Sequence, residues 1–411
     1  MIKTPFFLKS LFYSLLLLIP LSTLWGQSAD NLESRIDSVV SGAIQQRAFP
    51  GCVVYAAHKG KPFFLKAYGH HTYDSLIPTQ IGSIYDLASL TKVTAAGLCL
   101  MKLYEEGKIR LDDPLSLHVR GLNDTVGALT LRELMTHQSG LPPGFAFHRR
   151  ILPEESSSAR LDALQRRRYK KMKDILNNEV SALGVKQFTY SDLFFLLVPE
   201  LVEEASGETY EDYLNNHFYQ SLGASTLVFN AGQTFPLSRI APTEYDSLYH
   251  GHLIHGKVHD ESAALMGGVS GNAGLFGSAQ DVARVWQMIL NKGEYNGVEY
   301  LRPETVVRFT RRHFVHTPNH RGLVFDRPPL LYDSLKSQIA AASSAWSYGH
   351  TGFTGTMVWA DPENDLLFIF LSNRVHPSRT PNRLNELRVR PVLHAYFMAF
   401  LNSKNGVNYL K

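Results

Sequence analysis

The chain has 411 residues, 44% of them hydrophobic and 19% charged, and a formal charge of +4. That composition is ordinary for a globular protein, and the length supports a core large enough to fold without a disulfide or metal staple. The near-neutral balance argues against a nucleic-acid partner.

The first 26 residues stand apart. Lys3 and Lys9 precede an apolar run, Leu11–Leu24, of secretory-leader length and too short for a good membrane span. Cleavage near Gly26 or Ala29 removes both lysines and leaves a charge of +2. Export to the periplasm or beyond is the expectation, with an uncleaved anchor as the alternative. No Cys follows the run, so no lipid-attachment site is expected. Cys52 and Cys99 lie in strand-like and helix-like apolar stretches and read as buried thiols rather than a bridge.

Asn31–Ala48 spaces Leu32, Ile36, Val39, Val40, Ala43 and Ile44 as one helical face. Two β-like runs, Cys52–Ala57 and Pro62–Tyr68, flank His58-Lys59-Gly60-Lys61, a hairpin pattern. Helical spacing then dominates: Lys92–Glu106, Leu129–Thr136, Ser191–Glu204 and Thr209–Leu222, the last closed by Gly223. Between them, residues 142–185 mix Arg166, Arg167, Arg168, Lys170 and Lys171 with acidic residues. They read as a solvated helix face or surface loop; a site for anionic glycan or membrane is the sharper alternative. A Gly-rich run, Gly267–Gly274, precedes a helix capped by Ser278, with Val282, Val285, Trp286, Ile289 and Leu290 as its apolar stripe. Thr356–Ala360 and Leu366–Leu371 are strand-like around an Asp361–Asn364 turn, and Pro391–Leu401 closes the chain as a helix.

Strands at both ends with helices between imply an α+β fold: an antiparallel sheet completed by distant parts of the chain, flanked by helices, with an all-helical subdomain. The expected organisation is a leader, 1–26, and a single domain, 30–411. Its sheet region covers about 30–88 and 255–411 and its helical region about 89–254.

Chemistry starts at Ser89-Leu90-Thr91-Lys92. On a helix beginning at Ser89, Lys92 lies one turn on and on the same face. A serine hydroxyl needs a base within hydrogen-bond reach. A lysine serves only if burial or nearby positive charge lowers its pKa, and Leu87, Ala88, Leu90, Val93, Ala95 and Ala96 provide apolar surroundings. Alone, S-x-x-K is a weak pattern. Two further elements add weight: Tyr190-Ser191-Asp192, and His350-Thr351-Gly352 followed by Phe353. A tyrosine can relay a proton between serine, lysine and leaving group. Small residues at 351 and 352 let a substrate backbone lie against a strand edge, and His350 offers a polar or cationic group to a carboxylate.

In that order and spacing, Ser89–Lys92, Tyr190–Asp192 and His350–Gly352 resemble the three motifs of serine β-lactamase-related hydrolases, nearest the class C and low-molecular-weight penicillin-binding branch. Leu134–Leu141 is similar to the family's L-L-T-H-x-S-G-L segment. Val258-His259-Asp260-Glu261 with Gly267–Phe276, and Asn373–Pro377, resemble stretches of one subgroup. The resemblance runs from about Leu32 to about Leu401. It implies a β-lactamase/transpeptidase-like fold and acyl transfer through a serine ester. Ser89 is then the nucleophile, Lys92 its base or base partner, and Tyr190 the relay. Asp192, His350, Thr351, Gly352 and Phe353 bind substrate, with the N–H groups of Ser89 and Phe353 as oxyanion hole. Two positions depart from the pattern. Asp192 stands where many class C enzymes have Asn and, ionised, accepts but cannot donate hydrogen bonds. Asn272 replaces the subgroup's usual His.

No cofactor or metal is expected. His250, His252, His255 and His259 cluster in sequence but in a turn-rich stretch unsuited to a tetrahedral zinc site. The Gly267–Gly274 run lacks the Lys-Ser/Thr of a phosphate loop, and Ser139 and Ser270 are outside G-x-S-x-G. The expected substrate is a D-Ala-D-Ala-type peptidoglycan peptide, a β-lactam or an ester. An envelope-binding protein that keeps the fold as a scaffold is the non-catalytic alternative.

Overall fold

The computed structural model describes residues 21–151, 161–180, 182–246 and 251–404. Most of the expected leader, and His250, lie outside the described residues. No described helix is long and apolar enough to cross a membrane.

Five antiparallel strands form the central sheet. They are β1 (Gly51–His58), β2 (Lys61–Gly69), β3 (Tyr348–Thr351), β4 (Met357–Asp361) and β5 (Leu366–Ser372), in the order β3-β4-β5-β1-β2. The first two strands join through Lys59 and Gly60, both at positive φ, which matches the twist of a two-residue primed turn. β1 then pairs with β5 from the far end of the chain, Val53 opposite Leu371 and Tyr55 opposite Ile369.

Alternation along the strands divides the core into two layers. Cys52, Val54 and Ala56 of β1, with Phe368 and Phe370 of β5, face one side. There they meet Ile36 and Val40 of α1 (Leu21–Gln45) and Leu393 and Phe397 of the closing helix, Val389–Lys404. Val53, Tyr55, Ala57, Leu367 and Ile369 face the other side. There Val282, Val285, Trp286 and Ile289 pack from the Ser278-capped helix, Ala279–Leu290. Cys99 belongs to this second layer and Cys52 to the first, so the sheet separates them and both are free buried thiols.

The helical elements continue the second layer. Residues 161–179 form the helix Leu161–Glu179; it buries Met172, Ile175 and Leu176 and exposes Arg166, Lys170 and Lys171. Lys173 and Tyr169 tie it to Glu200. The expected helix at 191–204 begins late, at Val198, and runs to Ser206. Before it, Asp192–Leu197 makes successive turns, with Phe195 N donating to Asp192 O. Pro199 has no N–H for the Phe195 carbonyl. That carbonyl instead abuts Gly271, where an added Cβ would sit 2.5 Å away.

Phe370 is fully buried and meets Phe49 edge-on at 5.4 Å. Phe370→Ala is expected to lower unfolding free energy by about 3–5 kcal/mol, read from denaturant melts as a shifted midpoint at unchanged slope.

Candidate active site

The chain approaches Ser89 along a tightly held backbone. Ala88 adopts φ +48°, an uncommon region for a residue with a side chain, at a cost of about 1–3 kcal/mol. The surrounding structure holds it there. The Asp86 carboxylate accepts from Ala88 N at 2.8 Å and from His259 N at 2.7 Å. Thr354 and Thr356 donate to the carbonyls of Asp86 and Leu87 at 2.7 and 3.0 Å. Gly352 leaves room for this clasp: a Cβ there would stand 2.0 Å from Thr356 Oγ1 and 2.6 Å from Leu87 O.

The helix starts at Leu90, and its next turn, Lys92–Ala96, is a π-turn in which Gly97 N reaches back to Lys92 O. Such widened turns recur at functional sites. Lys92 is wholly buried. Its ammonium has three protons and meets three acceptors: Ser89 Oγ at 3.1 Å, Asn272 O at 2.9 Å and Asp192 Oδ1 at 2.6 Å. The rings of Tyr190 and Phe195 lie 5.3 and 5.4 Å from Nζ. Burial by itself pulls the lysine pKa down, but the charge of Asp192, together with Tyr190, outweighs it and the pKa ends above the ordinary 10.5. The apolar sequence around Lys92 pointed to a lowered value. The correction comes from Asp192, which serves first as the lysine's counter-ion.

Tyr190 Oη lies 3.2 Å from Ser89 Oγ. His137 fixes that tyrosine by bracketing it: Thr189 N donates to His137 O at 2.9 Å and Ser191 N to His137 Nδ1 at 3.1 Å. The two rings pack with centroids 4.5 Å apart. Burial, then Arg321 and Lys92, hold the His137 pKa well below its usual value, so the imidazole is neutral. Arg321, also buried, sits with its guanidinium carbon 5.7 Å from the centre of the Tyr190 ring and pairs with Asp326 at 3.4 Å.

His350 lies beside the same ring, at 5.9 Å, and is buried. Its Nδ1 meets Thr351 O at 2.8 Å; a carbonyl only accepts, so Nδ1 carries the proton. Nε2 is then a lone pair, buried and without a hydrogen-bond partner. Burial, then Arg321, push the pKa down to about 3. Of the two options the sequence left open at 350, polar or cationic, burial and the nearby Arg321 and Lys92 favour the polar, neutral imidazole. Thr351 is half-buried. Phe353 is 51% exposed and rests on Arg374, 4.5 Å from its ring centre, and on His259. Among the described residues, neither Ser89 N nor Phe353 N donates to a protein acceptor.

Behind Lys92, Asn272 Nδ2 donates to Asp260 Oδ1 at 3.1 Å. Asp260 is raised in pKa by burial, then by Asp192. Sequence reasoning gave no role to His137, Asn272, Asp260 or Arg321. His137 and Asp260 sat in quoted motifs, whereas Arg321 has no local pattern. The histidines weighed for zinc are scattered: His255 meets the carbonyls of Leu237 and Ile240, and His259 meets Glu244. Among the described residues no three ligating side chains converge as a metal site.

Two outcomes test this electrostatic picture. Asp192→Asn leaves burial of Lys92 opposed only by weaker contacts, so the lysine pKa falls, read by NMR titration at Cε. For His350, the folded pKa of about 3 lies below the unfolded 6.5, so its contribution to stability is full above pH 6.5 and declines as pH drops. Unfolding free energy between pH 7 and 4 should fall less steeply in His350→Asn than in the wild type.

The Beta-lactamase family model matches residues 36–390. A protein of Escherichia coli K12 named "Putative D-alanyl-D-alanine carboxypeptidase" is 32% identical over 333 residues, 74% of each chain. A Salmonella schwarzengrund protein of the same name is 30% identical over 330 residues, again 74% of each. Among solved structures, the octameric penicillin-binding protein homologue from Pyrococcus abyssi has a TM-score of 0.64 at 19% identity, covering 91% of this chain and 78% of that one. EstCE1, a hydrolase with promiscuous acyltransferase activity, also has a TM-score of 0.64, at 20% identity over 89% and 99% of the two chains. These likenesses carry the fold, and the family match spans most of the chain. The chain therefore belongs to the β-lactamase family and is a serine hydrolase of β-lactamase/transpeptidase-like fold.

Proposed function

We propose that Ser89 forms an acyl-ester intermediate on peptides that end in D-Ala-D-Ala, releasing the terminal residue, and that the protein does so outside the cytoplasm. The observation that carries the reading is the convergence of Lys92 Nζ and Tyr190 Oη on Ser89 Oγ, at 3.1 and 3.2 Å. Ser89 Oγ bonds to the carbonyl carbon, and the developing oxyanion takes the free N–H groups of Ser89 and Phe353. The Asp192 charge keeps Lys92 protonated, so the amine has no lone pair to offer. The Ser89 proton therefore passes through Tyr190 Oη to the leaving nitrogen as the C–N bond breaks. Water then hydrolyses the ester and restores Ser89. Lys92 keeps its charge throughout and stabilises the tyrosine oxygen.

The terminal carboxylate of such a peptide suits the side of the cleft where the Arg321 guanidinium lies beside Tyr190 with its Nε lacking a protein partner. The names of the curated relatives point the same way. Export rests on Lys3, Lys9 and the Leu11–Leu24 run. A cell-wall peptide is the matching substrate for that compartment. β-Lactam turnover is less well served, because the Asp192 carboxylate cannot donate to a β-lactam side-chain amide.

Intact-mass analysis after exposure to a penicillin tests the intermediate: the expected product is a stable adduct on Ser89, absent in Ser89→Ala. Rapid turnover without accumulation indicates a β-lactamase, and ester cleavage without labelling an esterase. Ser89→Ala should also lower D-alanine release from D-Ala-D-Ala peptides by at least about 10³-fold. Wild-type rates in that variant would rule the mechanism out.

A further inference from the structure

We propose that Asp192 is a specificity-determining residue that selects substrates with a free amine on the residue whose carbonyl Ser89 attacks: the free D-Ala-D-Ala dipeptide rather than longer or N-acylated peptides that end in it. The inference rests on the acyl transfer proposed above and narrows its substrate class.

Ser89, Tyr190 and Asp192 are the half-buried polar members of a cluster whose other members, Lys92, His137, Asn272 and His350, are buried. Asp192 is anchored by its backbone, whose N–H donates to Pro143 O at 2.9 Å. One carboxylate oxygen is committed to Lys92 at 2.6 Å, yet the side chain stays 35% exposed. The second oxygen has no hydrogen-bond donor among the described residues. Lys92 Nζ touches both groups, 2.6 Å from Asp192 Oδ1 and 3.1 Å from Ser89 Oγ. The α-nitrogen of an acyl group on Ser89 lies two bonds from the carbonyl carbon, within reach of the same carboxylate.

A carboxylate there accepts and does not donate. An ammonium supplies donors and charge, giving the stronger charge-assisted bond. An N-acyl group instead brings a carbonyl oxygen toward the carboxylate, two acceptors facing each other. Arg321 lies beside Tyr190, its guanidinium carbon 5.7 Å from the ring centre. The cleft is thus polarised in the sense of a zwitterionic dipeptide, ammonium toward Asp192 and carboxylate toward Arg321.

Three substrates test this in the full chain: D-Ala-D-Ala, N-acetyl-D-Ala-D-Ala and N-propionyl-D-Ala. The last removes the amine without adding bulk. D-Alanine release is measured as kcat/KM. The wild type should favour the free dipeptide over both others by tenfold or more. In Asp192→Asn the ratio should collapse toward unity, whatever happens to the absolute rates through Lys92. Equal or better use of the N-acetyl substrate by the wild type, or an unchanged ratio in Asp192→Asn, overturns the proposal. Absence of D-alanine release from all three in the wild type sinks the D-Ala-D-Ala reading itself. Release that follows the wrong ratio sinks only the role of Asp192.

Discussion

A buried ammonium is costly unless every proton finds an acceptor and a counter-charge lies close. Lys92 has no solvent contact, and three acceptors meet it: Ser89 Oγ from its own turn, and the Asn272 carbonyl and the Asp192 carboxylate from two distant segments. Each acceptor constrains a piece of the fold. The Gly-rich run must pass close enough to offer Asn272 O, and the turns before Val198 must present Asp192. The helix carrying Lys92 widens by one π-turn at that same point. Of the three acceptors, only Asp192 carries the compensating charge, so its loss costs the buried ammonium most.

The second constraint is mechanical. The sheet contributes to the site through one edge, β3, and the link from that edge to the Ser89 segment is a pair of short bonds from threonine hydroxyls to backbone carbonyls. Thr354, Thr356 and the missing side chain of Gly352 lock the β3–β4 connection onto the Asp86–Leu87 backbone. Ala88 is held at positive φ by that clasp. Among the described residues, the N–H groups of Ser89 and Phe353 are left without protein acceptors. Preorganised donors of this kind act without reorganisation during the reaction, which is where electrostatic catalysis gains most.

Histidines in this site work as neutral spacers. His137 accepts from Ser191 N and keeps Tyr190 in place, while His350 spends its proton on Thr351 O. Both stand beside Arg321 and Lys92, and positive neighbours together with burial disfavour a third cation. Two ion pairs remain beside the Tyr190 ring, Lys92–Asp192 and Arg321–Asp326.

Much of this was legible in residue order alone. Strand alternation such as Val53, Tyr55, Ala57 against Cys52, Val54, Ala56 states which side each residue faces, because the period of two is local. The spacing of Ser89 and Lys92 states that they share a helical face for the same reason, and Ser278 and Gly223 mark helix ends through single backbone hydrogen bonds. The late start of the helix at Val198 was not legible: Pro199 alone does not forbid an earlier turn, and the packing of Phe195 O against Gly271 decided it. Arg321 has no neighbour in sequence that marks it, and Asp192 showed itself only as an unusual letter in a motif. Whether Lys92 is charged depends on a carboxylate one hundred positions away, and electrostatic coupling acts through space, not along the chain. Local periodicity and motif order determined the elements and the reacting trio. Tertiary structure decided the protonation states and the polarity of the cleft, because those depend on distances between segments that only folding brings together.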